Sequence, residues 1–234
     1  MSAVNNVLMW LIWSPIQTLL QRTYGIGLTW ANFATILISN VTYLPGSILA
    51  NYVVDTYGLK PGVWLGCVLT GLGQLLRINC DQGFIWLFLG QFVGSFGQPF
   101  FYNTPQKISQ VWFPANQRTI CTAGITTFYT LAMAIGTVLP MAYVDPAEED
   151  HTLAMKQLRV MMEHQFYFGM ACYIPTFLFF RNEPPTPPSR AASAQKPDVV
   201  KSLKSLMRNV NYMTLLIGSS LIVASLINTI SVMQ

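Results

Sequence analysis

The feature that most limits how this 234-residue chain folds is its succession of long apolar runs separated by short polar breaks. A helix needs roughly 20 residues to cross the hydrocarbon of a bilayer, where no water is present to satisfy an open backbone. Runs of that order cover residues 3–21, 30–54, 63–78, 84–103, 119–144 and 165–180, and a seventh begins near Tyr212 and continues to Gln234. Only 9% of the residues are charged, against about a quarter in a soluble domain. The pattern predicts an all-α membrane protein that crosses seven times. The first run has no basic leading region and no small-residue cleavage site, so it is read as a retained helix and not as a signal peptide. An odd seventh span with nothing after it is what a fragment or truncated product would show.

Lys and Arg collect in cytoplasmic loops, which sets the expected orientation. With the first helix starting in the cytoplasm, that side receives Lys60, Lys107, Arg118, Arg181, Arg190, Lys196, Lys201, Lys204 and Arg208. The other side receives Arg22, Arg77, Lys156 and Arg159, together with the acidic run Asp145, Glu148, Glu149 and Asp150. The sixth and seventh spans are joined by NEPPTPPSRAASAQKPDVVKSLKS, which starts at Asn182. Its prolines and serines favour an extended linker over a packed domain, and residues 199–208 suit a short amphipathic helix on an anionic leaflet. The expected organisation is a six-helix bundle over 1–181, a cytoplasmic linker over 182–209, and the start of a second bundle over 210–234. The linker places the seventh span where a two-bundle transporter would begin its second half.

Enzyme chemistry finds little support. The chain has no HExxH, no GxSxG and no Cys/His cluster. Its two histidines, His151 and His164, fit no zinc spacing, and the second is placed at the opening of the sixth helix. Cys67, Cys80, Cys121 and Cys172 are scattered. No cofactor, metal or nucleic-acid partner is expected; the expected partners are a small-molecule substrate, the lipid bilayer, and either a missing C-terminal half or a second copy.

The informative loop is PGSILANYVVDTYGLKPG, where Asp55, Gly58 and Lys60 crowd a tight turn between the second and third spans. Glycine permits the turn, and an acid at one helix end with a base at the surface can latch a neighbouring bundle. Small-xxx-small pairs at Gly62/Gly66 and Gly90/Gly94 let helix backbones approach closely.

Polar and aromatic residues at membrane depth narrow the search for a site: Trp10, Trp13 and Gln17 in the first span, Asn32 and Asn40 in the second, Gln91 and Gln98 in the fourth, Tyr129 in the fifth. Buried amides need partners and usually face a bundle interior or a wet cavity. Trp10 and Trp13 near Pro15, with Gln98 beside Pro99, are the most pointed set, because a proline beside a polar group loosens the backbone ladder as transporter sites do. The deep parts of the first five spans carry no acidic, basic or His residue, Arg77 being placed at a helix end. A proton relay needs a titratable group, whereas aromatic faces with an amide suit a cation or a flat neutral ring.

Four stretches together resemble solute carrier family 49, the feline leukaemia virus subgroup C receptor-related transporters of the major facilitator superfamily: WLIWSPIQTLLQRTYG, VVDTYGLK, GQPFFYNTPQKISQVWFPANQRTICTAG and PPTPPS. The linker and WFPANQR are most similar to the disrupted-in-renal-carcinoma-2-like and orphan third-member branches. The resemblance implies twelve helices in two six-helix bundles, alternating access and a substrate at the midplane. In the receptor-related branch it implies choline or ethanolamine as cargo, contacted by an aromatic of the first helix and a Gln of the fourth. Trp10, five residues before Pro15, and Gln98, fifteen before Phe113, match those positions. The lysosomal, disrupted-in-renal-carcinoma-2-like branch implies proton-coupled export of a pyridoxine-like vitamin, and haem export is a further alternative. The expected substrate residues are therefore Trp10, Gln98, Trp13 and Tyr129, with Asp55, Gly58 and Lys60 as cytoplasmic gate, in a plasma or lysosomal membrane. A different class of reading is a half-transporter that acts only as a membrane partner protein.

Overall fold

The computed structural model describes residues 1–185 and 205–232, with side chains described as far as 221. The chain divides into two units, Met1–Ser189 and Arg190–Gln234. The second contributes one described long helix, Val210–Val232, and the linker is largely outside the described residues.

The first unit is helical, with no strand among its described residues. Its elements are α1 (Ser2–Leu11), α2 (Gln17–Tyr24), α3 (Leu28–Asn32), α4 (Ile38–Tyr57), α5 (Leu59–Arg77), α6 (Phe84–Ser95), α7 (Gln98–Tyr102), α8 (Thr104–Trp112), α9 (Arg118–Val138) and α10 (His151–Phe179); Val210–Val232 is α11. A π-helical segment, Phe33–Leu37, fuses α3 to α4. Prolines explain why two of the runs are broken, since a proline supplies no backbone N–H and opens a new helix readily. Pro15 lies in the tight turn Ser14–Ile16 between α1 and α2. Pro99 and Pro105 stand at the starts of α7 and α8, so the fourth run is three helical pieces extending to Trp112. The turn from α4 to α5 uses Gly58 at φ 99°, a backbone conformation that favours glycine.

Among the described residues, four helical stretches are long and apolar enough to cross a membrane: Leu28–Tyr57, Leu59–Gln82, Phe84–Trp112 and Arg118–Ala142. The expected first span is the interrupted α1 and α2 pair. The expected sixth is the second half of α10, which starts at His151 and not near residue 165, so His164 lies inside the helix and does not open it. Asp150 caps its N-terminus by accepting from the Thr152 backbone N–H at 2.9 Å.

α1 touches α5, α6, α7, α9 and α10 and so forms the hub of the unit. Its lower flank joins Leu8, Ile12 and Trp13 to Leu87, Leu158, Met161 and Met162 in one apolar cluster. A polar layer then fixes its rotation. Asn5 Nδ2 donates to Tyr173 Oη at 2.8 Å and to Gln74 Oε1 at 3.2 Å, Gln74 Nε2 returns a bond to Asn5 Oδ1 at 3.1 Å, and Asn6 Nδ2 donates to Thr70 Oγ1 at 3.1 Å. α5 and α6 meet through glycines: a Cβ added at Gly73 would stand 2.5 Å from the Gly90 carbonyl oxygen and 2.6 Å from Gly94 Cα. The Gly90/Gly94 pair is thus a packing face, whose partner is Gly73. Leu44, Ile48, Phe128 and Leu178 point outward, where lipid replaces water as their solvent.

Arg77 differs from its expected role as a helix-end charge at the membrane surface. It is the last residue of α5, yet its relative exposure is 0% because α1, α6 and α10 close over it.

Candidate substrate site

Trp10 leaves α1 on the side that faces α7, and the helix break at Pro99 turns Gln98 and Tyr102 onto one face of α7, four residues apart. The Tyr102 hydroxyl lies beside the polar ends of both Trp10 and Gln98. Trp10 Nε1, Gln98 Oε1 and Tyr102 Oη are shut off from solvent and have no partner outside this group; the hydroxyl stands where it can accept from the indole N–H and donate to the amide oxygen, though no contact among the three has good hydrogen-bond geometry. A buried polar group held this loosely can exchange its internal contacts for those of another molecule. The set contains two donors and an acceptor.

Aromatic rings surround it. Tyr102 and Tyr129 have centroids 5.2 Å apart, and Tyr43 of α4 meets Tyr102 edge-on at 6.3 Å. Tyr129 is anchored by donating to the Phe101 carbonyl oxygen at 2.9 Å. Tyr43 is anchored by donating to Asn103 Oδ1 at 3.0 Å. Four aromatic rings from α1, α4, α7 and α9 with one amide make a cage whose π faces attract a cation.

Of the four expected substrate residues, three come together here: Trp10, Gln98 and Tyr129. Trp13 stands elsewhere. It is 0% exposed, donates from Nε1 to Gln91 Oε1 at 3.2 Å, and lies under the Arg77 guanidinium at 5.2 Å. The α1 helix ends at Leu11, so the periodicity that would align positions 10 and 13 does not carry through the turn at Pro15. Gln17 donates from Nε2 to Thr35 Oγ1 at 2.8 Å, while its Oε1 is buried without a partner.

At the end of α4, Asp55 Oδ1 pairs with Lys107 Nζ of α8 at 2.6 Å, with both side chains about one-third exposed. Lys60 takes a different post: its Nζ stands 4.7 Å above the Trp64 ring and its backbone N–H donates to Asn182 Oδ1 at 2.6 Å. Asn182 also packs against Gly58, where a Cβ would approach its Oδ1 to 3.0 Å. Between cage and ion pair, Asn103 Nδ2 donates to Ser47 Oγ at 2.9 Å and Asn51 Oδ1 at 3.1 Å. The α4–α8 side of the unit thus carries a polar ladder from Tyr43 to Lys107. Among the described residues, no cluster of His, Cys, Asp or Glu could hold a metal.

The Major Facilitator Superfamily model matches residues 1–234. The chain belongs to that superfamily. Curated members similar to it include the choline/ethanolamine transporter FLVCR1 of Felis catus, 28% identical over 93% of this chain and 40% of the relative. The human choline/ethanolamine transporter FLVCR2 is 27% identical over 91% of this chain and 41% of its own length. Solute carrier family 49 member A3 of Xenopus tropicalis is 24% identical over 91% and 45%. All are solute carrier family 49 proteins, as the four sequence stretches implied. The chain spans less than half the length of these relatives.

Sequence reasoning missed Tyr43, Tyr102 and Asn103. Tyr102 had a signal, its i,i+4 relation to Gln98. Tyr43 and Asn103 had none, since what brings them to the site is contact between α4 and α7 across 60 residues of chain.

Proposed function

We propose that this chain forms the N-terminal half of a facilitator-type transporter that moves a small organic cation, such as choline or ethanolamine, by alternating access. Trp10, Tyr43, Tyr102 and Tyr129 would surround the ammonium group, and Gln98 would take up the hydroxyl end. Trp13 would stand apart from them, tied to Gln91 and Arg77. Asp55, Gly58 and Lys60, joined by Lys107, would serve as the cytoplasmic gate. The observation that supports the reading is the meeting of three buried polar side chains, Trp10, Gln98 and Tyr102, with no partner outside their own group, beside an aromatic ring set. An ammonium with a hydroxyl supplies a cation for the rings and a donor and acceptor for the three polar groups. The names borne by the FLVCR1 and FLVCR2 relatives support the same substrate class.

A proton-coupled vitamin carrier would need a titratable carboxylate or imidazole, which the second half of a full-length transporter would have to supply, since the side chains of this cage are Trp, Gln and Tyr. The deciding experiment is uptake of labelled choline and ethanolamine by cells expressing the transporter with Gln98→Ala. Uptake is expected to collapse while surface expression holds; unchanged uptake would remove Gln98 from the site.

A further inference from the structure

Arg77 is a full positive charge at 0% exposure, and arginine does not shed its proton in proteins. Its Nη1 donates to the Met9 carbonyl oxygen at 2.7 Å and to Gln91 Oε1 at 2.8 Å, its Nη2 donates to Gln165 Oε1, and the Trp13 ring lies 5.2 Å away. Every one of these partners is neutral. The ion pairs among the described residues join Lys107 to Asp55 and Arg159 to Asp81 and Glu163, none to Arg77. Removing one ion from water without a counter-charge costs several kcal/mol even after relaxation, and neutral dipoles recover only part of it.

Two N–H donors at this place are also unused. Arg77 Nε and Gln165 Nε2 are both buried without a partner. In a planar guanidinium the Nε–H and Nη2 groups share one edge, and Gln165 is the residue that Nη2 touches. The orphaned amide N–H group is therefore carried by the side chain that meets the orphaned guanidinium edge. A water molecule would satisfy the donors but leave the charge uncompensated. An anion answers both needs. A monatomic anion needs no donors beyond these, whereas a carboxylate or phosphate would bring further oxygens that need donors of their own.

We propose that Arg77 and Gln165 hold a chloride-sized anion between α5 and α10, and that this ion completes the junction at which α1, α5, α6 and α10 meet. The site shares no residue with the aromatic cage and does not depend on what the cage binds.

The test is thermal unfolding of the purified chain in neutral detergent, with sodium gluconate replaced by sodium chloride or bromide at constant ionic strength. The expected result is a saturable rise in the unfolding midpoint with either halide, absent in Arg77→Gln. Gln165→Leu, which removes one hydrogen bond to the ion, is expected to weaken apparent halide affinity about tenfold. If Arg77→Gln does not fold, chloride NMR line broadening on the native chain and on Gln165→Leu decides the matter, with the same expected loss. A native chain that shows neither a halide-specific shift nor saturable broadening overturns the proposal and leaves water as the occupant. An undiminished halide response in a folded Arg77→Gln or Gln165→Leu protein overturns it as well.

Discussion

The Tyr43 hydroxyl donates to Asn103 Oδ1 at 3.0 Å, and the same Asn103 amide donates onward to Ser47 and Asn51. One side chain at the break between α7 and α8 thereby clamps two turns of α4. Asn103→Ala removes all three bonds, each worth about 0.5–1.5 kcal/mol net, and is expected to lower stability by about 1–3 kcal/mol in all. Tyr43→Phe removes one bond and is expected to cost correspondingly less. Unfolding of the two variants in parallel checks the order; equal effects would mean that the Ser47 and Asn51 bonds contribute nothing.

The cage gives a graded prediction for binding. Trp10→Ala removes the indole face and its N–H, and a desolvated cation–π contact is worth about 2 kcal/mol, so choline affinity is expected to fall more than tenfold. Tyr102→Phe keeps the ring and loses only the hydroxyl, so its effect is expected to be smaller and to be greater for a hydroxyl-bearing amine than for tetramethylammonium. Equilibrium binding of both ligands to each variant measures this, and a uniform loss for both would place the Tyr102 hydroxyl away from the ligand.

The Asp55–Lys107 pair is partly exposed, so it adds only about 0–1 kcal/mol to folding. Lys107→Ala is expected to leave the unfolding midpoint nearly unchanged while altering uptake, because a gate acts on the balance between two conformations and not on the fold. The charge reversal Asp55→Lys with Lys107→Asp is expected to restore part of the uptake lost in either single variant. Double-variant uptake no better than that of the singles would show that the two residues do not act as a pair.

Two glycines that look alike in sequence are expected to respond with opposite sign. Gly73→Ala drives a Cβ into the backbone of α6, 2.5 Å from the Gly90 oxygen, and should cost about 1–3 kcal/mol by overpacking. Gly124→Ala, in α9, meets nothing within 4 Å and should stabilise by roughly 0.5–1 kcal/mol through helix propensity. Thermal unfolding of both in the same detergent checks the pair of signs.

The long apolar runs were enough to define an all-α membrane protein, because hydrocarbon leaves a backbone few choices. Trp10, Gln98 and Tyr129 also stand out in the sequence, as uncharged polar and aromatic groups against an apolar background, and the structure sets them near one another. Pro15 and Pro99 marked real breaks because the lost N–H is a local property. Trp13 and Arg77 were less transparent. Trp13 has the same chemistry as Trp10 and lies three residues along, but the turn after Leu11 sends it to Gln91 instead of the cage. Arg77 looks by position like a surface charge, and only the closure of α1, α6 and α10 around it makes it a buried cation.

By itself the sequence determined the class of fold, the places where helices break, and the kinds of side chain available to meet a solute. Those are consequences of hydropathy and of backbone chemistry within a few residues. The tertiary structure decided which of those side chains share a site: Tyr43 and Tyr102 with Trp10 and Gln98, Lys107 with Asp55, Gln165 with Arg77. Apart from Tyr102 with Gln98, one turn apart on α7, each of these pairings joins residues on different helices, and depends on how closely the helix backbones approach and how each helix is rotated about its axis. Those quantities arise from packing across the whole unit and leave no local mark in the chain.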